Sequence, residues 1–170
     1  GKELSELQEL LAAAHHHSLL VVLQGMDASG KADTIHQVLS RVNPQGCEVR
    51  SFKVPNSREM DHDFLWRVHA AAPAKGMIQI FNRSHYEDIL VTRVHNIIDD
   101  GTAKKRMKAI NDFEQLLTEH NSTQILKFYL DAGPLITGQF PGFDHVDDQR
   151  NTGIFADFWR RRHNMSTLNV

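Results

Sequence analysis

Leu19-Leu20-Val21-Val22-Leu23-Gln24-Gly25-Met26-Asp27-Ala28-Ser29-Gly30-Lys31 is the stretch on which the fold turns. Leu19 to Leu23 is apolar on both faces, the pattern of a strand buried inside a parallel sheet. It runs straight into Gly25-x-x-x-x-Gly30-Lys31, and Ala32 to Val42 then sets Ile35, Val38, Leu39 and Val42 on one helical face. Asn43-Pro44-Gln45-Gly46 ends that helix. A glycine-rich loop between a strand and a helix N-terminus is built for anions. Its backbone N–H groups converge on phosphate oxygens, the helix end adds favourable potential, and Lys31 adds a mobile charge. A chance turn has no reason to bring strand, helix and lysine together.

Two details narrow the loop. The Ser or Thr that commonly follows the lysine and reaches magnesium is Ala32 here, and Thr34 offers a replacement hydroxyl one turn on. Asp27 stands inside an anion-attracting loop, where as a turn former it would repel phosphate. It makes sense as a magnesium ligand or as an acceptor-orienting base.

Outward from the loop the rhythm repeats. Glu3 to Ala14 carries Leu4, Leu7, Leu10 and Leu11 at helical spacing, which predicts an amphipathic helix packed on the sheet. Cys47 to Val54 predicts a strand, and Arg58 to Ala72 a helix facing inward through Met60, Phe64, Leu65 and Val68. Met77 to Phe81 predicts a third strand, and Tyr86 to Val94 a helix. Thr102 to His120 predicts a long helix with Met107, Ile110, Phe113, Leu116 and Leu117 inward, and Gln124 to Leu130 a fourth strand. Alternating strands and helices give an α/β doubly wound sheet, read as a single domain over residues 1–170. After Asp131, Gly and Pro break the pattern, no segment reads as a fifth strand, and Phe155 to Arg161 is a short helix candidate.

Composition agrees with a globular chain. The 170 residues are 41% hydrophobic with a formal charge of −2, so no overall basic field draws duplex nucleic acid. The single cysteine, Cys47, excludes an internal disulfide and a Cys-rich zinc module. Leu19 to Leu23 is far too short to span a bilayer, and no signal-peptide pattern opens the chain, so the expectation is a cytoplasmic setting without membrane contact. Of the 11 histidines, only His85 falls in a motif.

That motif is Asn82-Arg83-Ser84-His85-Tyr86-Glu87-Asp88, directly after the third strand. Arg83 can offer a planar fork of donors to phosphate oxygens, and Glu87 and Asp88 lie one turn further on. Alone it could be a solvated loop capping a helix; beside a phosphate loop it reads as a second half of one site. Lys53, Arg67, Arg83 and Arg93 fall at strand ends or on adjacent helices, a supply of cations for two anionic substrates meeting at the sheet edge.

These residues carry a resemblance. Leu23 to Lys31, Val42 to Cys47, Ser51-Phe52-Lys53, Asp63 to Arg67, Phe81 to Asp88, Ile110 to Glu114 and Ile125 to Phe128 are similar to the polyphosphate kinase 2 family, over about Leu4 to Leu130. The Asn82 form of the second motif resembles the AMP-directed branch, some of whose members also accept ADP. The resemblance implies a P-loop kinase-like three-layer α/β/α fold with a mostly parallel sheet, related to thymidylate kinases. It implies Mg²⁺-dependent phosphoryl transfer between inorganic polyphosphate and AMP or ADP. Carried over, Gly25, Met26, Ala28, Ser29, Gly30, Lys31, Ala32 and Arg93 would bind phosphates. Asp27 would be the catalytic carboxylate near acceptor and metal, with Lys31 and Arg83 beside it. Lys53, Asp63, Arg67, Asn82, Arg83, Tyr86 and Glu87 would hold the nucleotide or order its pocket. Homo-oligomers are expected from the same resemblance.

Family members continue past the fourth strand with an Arg-rich helical lid, a further helix and a final strand, none of them recognisable here. Residues 1–131 match the family core, and residues 132–170 read as an atypical or truncated end offering only Arg150 and Arg160 to Arg162 as replacement cations. A lid supplies charge and excludes water. Two other functions therefore stand beside polyphosphate-dependent transfer: an ATP-dependent nucleotide kinase of the same fold, and a binding module with weak turnover.

Overall fold

The computed structural model describes residues 2–25, 29–89, 98–131 and 166–169. Helix α1 (Lys2–Ala14) leads into β1 (Ser18–Gly25), and α2 (Lys31–Leu39) follows the phosphate loop. Strand β2 (Cys47–Ser51), the short helices α3 (Ser57–Met60) and α4 (Trp66–His69), β3 (Ile78–Asn82), the long helix α5 (Asp100–His120), β4 (Thr123–Asp131) and β5 (Ser166–Asn169) complete the described elements. The sheet runs β2-β3-β1-β4-β5 with every neighbouring pair parallel.

Strand β1 is central because both of its faces are apolar. Leu20 and Val22 point into a cluster with Phe81, Tyr129 and the inner face of α5, Met107, Ile110, Phe113 and Leu117. Leu23 points the other way, towards Ile35 of α2, Ile80 and Leu130, with Leu11 of α1 at the margin. Helices thus cover both faces of a parallel sheet, the three-layer α/β/α arrangement expected. No helix among the described residues is long and apolar enough to cross a membrane.

The departures have local causes. The predicted helix from Arg58 to Ala72 is two helices, leaving Met60 72% exposed. Asn56 and Glu59 cap the first reciprocally, and the Asp63 carboxylate accepts the Leu65 N–H at 2.9 Å, bending the chain between the two. The strand predicted to Val54 ends at Ser51, and Val54 is exposed ahead of Pro55. Helix α2 stops at Leu39 with Ser40 as its cap, so Val38 faces solvent and Val42 is buried from the following turn. Leu116 is also exposed: Ile110, Phe113 and Leu117 already fill the stripe that α5 turns inward. Helix α1 packs less fully than expected. Leu7 and Leu10 are exposed, and its anchor is the polar Gln8, whose amide exchanges two 2.7 Å hydrogen bonds with the Asn43 backbone.

A fifth strand exists after all. Ser166 to Asn169 pairs with Phe128 to Asp131 along the edge of β4. Four residues are too few for a period-2 signal; the backbone groups of β4 select them. The Phe155 to Arg161 helix candidate and most of the Tyr86 to Val94 one lie outside the described residues; residues 87–89 are helical.

Candidate active site

The strand order reverses around β1: the chain leaves it on one side for β2 and β3 and returns on the other for β4 and β5. In open parallel sheets the crevice for ligands lies outside the carboxyl ends of the strands at that reversal. The register puts Leu23 of β1 beside Asn82, the last residue of β3, and beside Phe128 of β4, and β1 and β4 run on together to Gly25 and Leu130. Gly25 begins the phosphate loop on one side, and Arg83 begins the second motif on the other.

Gly25 is required by crowding. A Cβ there would lie 2.4 Å from the Leu130 carbonyl oxygen and 2.8 Å from the Ser29 hydroxyl, on a backbone with φ of +150°. Gly30 takes the left-handed conformation, φ 71° and ψ 18°, to turn the chain into α2. Lys31, only 6% exposed, folds back over the loop, its Nζ donating to the Gly25 carbonyl at 2.7 Å and to Ser29 Oγ at 3.3 Å. Lys31 therefore ties Gly25 at the end of β1 to Ser29 ahead of α2. The Thr34 hydroxyl donates to the Gly30 carbonyl at 3.0 Å, inside its own helix. Met26, Asp27, Ala28 and Arg93 lie outside the described residues.

Arg83 extends β3 by one hydrogen bond, its N–H donating to the Leu23 carbonyl at 3.1 Å, and then turns with φ of +61°. That left-handed backbone is uncommon for a residue with a side chain, so the surroundings must hold it. They do so from two sides. From β1, the buried Gln24 accepts the Ser84 hydroxyl at 3.0 Å and donates to Glu87 Oε1 at 2.5 Å. From α5 and β4 comes a polar cluster around Glu114. Its Oε1 accepts from the Tyr86 hydroxyl at 2.8 Å and lies 3.1 Å from His85 Nε2, and its Oε2 accepts from Lys127 Nζ at 2.5 Å.

Burial alone would raise the Glu114 carboxyl, but the His85 hydrogen bond and the Lys127 charge outweigh it and hold the group at about 2. Burial pushes His85 down from its ordinary value, against the pull of Glu114. A neutral His85 next to an ionised carboxylate carries its proton on Nε2 and gives it to Glu114. Nδ1 is then a bare lone pair, and it has no hydrogen-bond partner among the described residues. Burial and Glu114 together push the Tyr86 hydroxyl up, so it remains a donor.

Two residues expected at the nucleotide lie inside the protein. Tyr86 is 1% exposed, its ring in the core and its hydroxyl on Glu114. Arg67 is 6% exposed: it donates to the Lys53 carbonyl at 2.7 Å and to Asp88 at 3.1 Å, over the Phe52 ring. It braces the segment after β2 against residues 87–89. Lys53 and Asp63 are exposed, while Asn82, Arg83 and Glu87 are half-buried at the strand ends.

Gln24, Glu114 and Lys127 lie in stretches that carry the family resemblance, but no role was read for them from the sequence. Glu114 falls in phase with Met107 and Ile110 on the apolar face of α5, and Lys127 interrupts an apolar strand. A charge of each sign at core positions was the available signal.

Among the described residues, no group of three or more His, Cys, Asp or Glu could hold a metal ion. The loop carboxylate Asp27 lies outside them.

A family model described as Polyphosphate kinase 2 matches residues 1–135, which span both motifs. The chain belongs to the polyphosphate kinase 2 family. It is 51% identical over 130 residues to the AMP/ADP-polyphosphate phosphotransferase of Meiothermus ruber, covering 76% of this chain and 48% of that protein. It is 45% identical over 141 residues to the ADP-polyphosphate phosphotransferase of Rhodopseudomonas palustris, with the same 76% and 48% coverage. The crystal structure of polyphosphate kinase 2 from Arthrobacter aurescens TC1 superposes with a TM-score of 0.74 at 43% identity, covering 76% of this chain and 47% of that one. The chain thus spans about half the length of the relatives it matches. Their polyphosphate kinase 2 fold is the parallel α/β/α arrangement described above.

Proposed function

We propose that this chain performs phosphoryl transfer between inorganic polyphosphate and AMP, and possesses the residues to use ADP as well. One observation carries the reading: Gly25, Ser29, Gly30 and Lys31 close an anion-binding loop at the end of β1, and the hydrogen bond from Arg83 to Leu23 sets a second cation-bearing motif directly beside it. Two anions brought together there need orientation and charge neutralisation more than covalent help. The loop amides and Lys31 hold one phosphate chain, and Arg83 meets the group in transit with a planar fork. Gln24 orients Glu87 at the acceptor side. Lys53, Asp63 and Asn82 border the acceptor, while Arg67 and Tyr86 order the pocket from inside.

Mg²⁺, held by Asp27 and the phosphates, would supply the remaining positive charge. Phosphate contacts from Met26, Ala28, Ala32 and Arg93, a cytoplasmic setting, and homo-oligomers belong to the same proposal. The test is a transfer assay with polyphosphate, Mg²⁺ and AMP or ADP, run in parallel with ATP as donor. Polyphosphate-dependent product is expected, and Asp27→Asn should abolish it while unfolding remains cooperative. Turnover from ATP alone would favour the nucleotide kinase; binding of AMP and polyphosphate without product would favour the binding module.

A further inference from the structure

We infer that Glu114, braced by Lys127, is a positioning residue that holds the Arg83 turn in its working conformation. Arg83 is a non-glycine residue at φ +61°, a backbone state that its own sequence does not favour. The three residues that follow it are all fully or almost fully buried, and two of them, His85 and Tyr86, converge on the single oxygen Oε1 of Glu114. Lys127 Nζ fixes the carboxylate from its other oxygen, Oε2, and also donates to the Tyr86 hydroxyl at 3.0 Å. The cluster therefore joins α5 and β4 to the turn after β3 at one point.

The groups facing His85 are named by the packing around it. Glu114 comes from α5, Lys127 from β4 and Asp88 from its own segment, while Phe81, Tyr86 and Phe113 supply the rings. Of the buried side-chain polar atoms among the described residues, His85 Nδ1 is left without a hydrogen-bond partner. Glu114 reaches the turn through His85 and Tyr86. It acts through Arg83, and its role rests on the proposed polyphosphate reading only for what Arg83 binds.

The test uses two readouts on the full chain. Hydrogen exchange of the amides of residues 83–87 is compared between wild type and Glu114→Gln, which keeps the shape and removes the charge. Exchange about tenfold faster in that segment, with β1 and α2 unchanged, is expected. Tyr86→Phe, which keeps the ring and deletes one hydroxyl, should move the same segment less and covers the case of a Glu114 variant that does not fold.

Tripolyphosphate affinity is then measured by calorimetry in a double-mutant cycle. Glu114→Gln should weaken binding about tenfold in the wild type and less than twofold when Arg83 is already Lys, because both changes act through one group. A merely structural role would leave the two effects independent. Unchanged exchange at residues 83–87, or effects that multiply fully, overturns the inference. A wild type that does not bind tripolyphosphate refutes the polyphosphate reading, and the exchange result then decides the positioning role by itself.

Discussion

Acid should unfold this protein through one carboxylate more than any other described group. Glu114 is held at about 2 against an ordinary 4.5, so at neutral pH it contributes about 3 kcal/mol of stability through proton linkage. A depressed carboxyl is fully stabilising above its unfolded value and loses that contribution as protons bind the unfolded chain first. The window is therefore from about pH 4.5 down to about pH 2. His85 is depressed as well, so its share is present above its ordinary value of 6.5 and begins to be lost as pH falls below it. The predicted profile has a shallow decline starting near pH 6.5 and a steeper one starting near 4.5.

Urea unfolding followed by tryptophan fluorescence at a series of pH values measures it, with the slope against denaturant checked for constancy. At pH 7, Glu114→Gln should cost roughly 2–4 kcal/mol, since one member of a buried charged cluster is removed. That cost should fall by about half as the wild type is acidified to pH 3 and approach zero near pH 2, whereas the decline that starts near 6.5 should persist in the variant. Wild type and variant losing stability in parallel between pH 5 and 3 would refute the assignment of the acid transition to Glu114.

Three other substitutions probe separate parts of the fold and site. Gly25→Ala places a methyl group 2.4 Å from the Leu130 carbonyl, so the loop must shift; phosphate affinity should fall at least about tenfold, and unaltered binding by calorimetry would show that the loop end is pliant. Arg83→Lys should reduce transfer strongly with an unchanged melting temperature, because a point charge cannot reproduce the planar fork; an unaltered rate would show that Arg83 only shapes the turn. Gln8→Leu deletes both hydrogen bonds from α1 to the Asn43 backbone and should cost about 1–2 kcal/mol in the urea midpoint, with activity retained.

The strand-loop-helix unit around Gly25, Gly30 and Lys31 was legible because it is local. Gly25, Gly30 and Lys31 act through backbone freedom and a charge within one strand-loop-helix unit, and a spacing of a few residues records that. The four strands before Asp131 were legible for a related reason: burial on both faces leaves uninterrupted apolar runs such as Leu19 to Leu23. Where a feature depended on a partner far along the chain, the sequence was silent. Met60 and Leu116 fit an inward helical stripe on paper but are exposed, because the turn at Asp63 interrupts one helix and other side chains already fill the space beneath the second. Strand β5 exists through the edge of β4 and carries no pattern of its own.

The sequence by itself determined the fold class, the glycine-bounded strand-loop-helix unit and the family. Only the tertiary structure decided that Arg67 and Tyr86 face inward, and that Gln24, Glu114 and Lys127 bond to or beside the turn after β3. The physical reason is that a buried charge has no preferred neighbour in sequence. Its partner is whichever opposite charge or hydrogen-bonding group the fold brings within about 3 Å, and for Glu114 that meant a helix, a strand and a turn drawn from separate stretches of the chain.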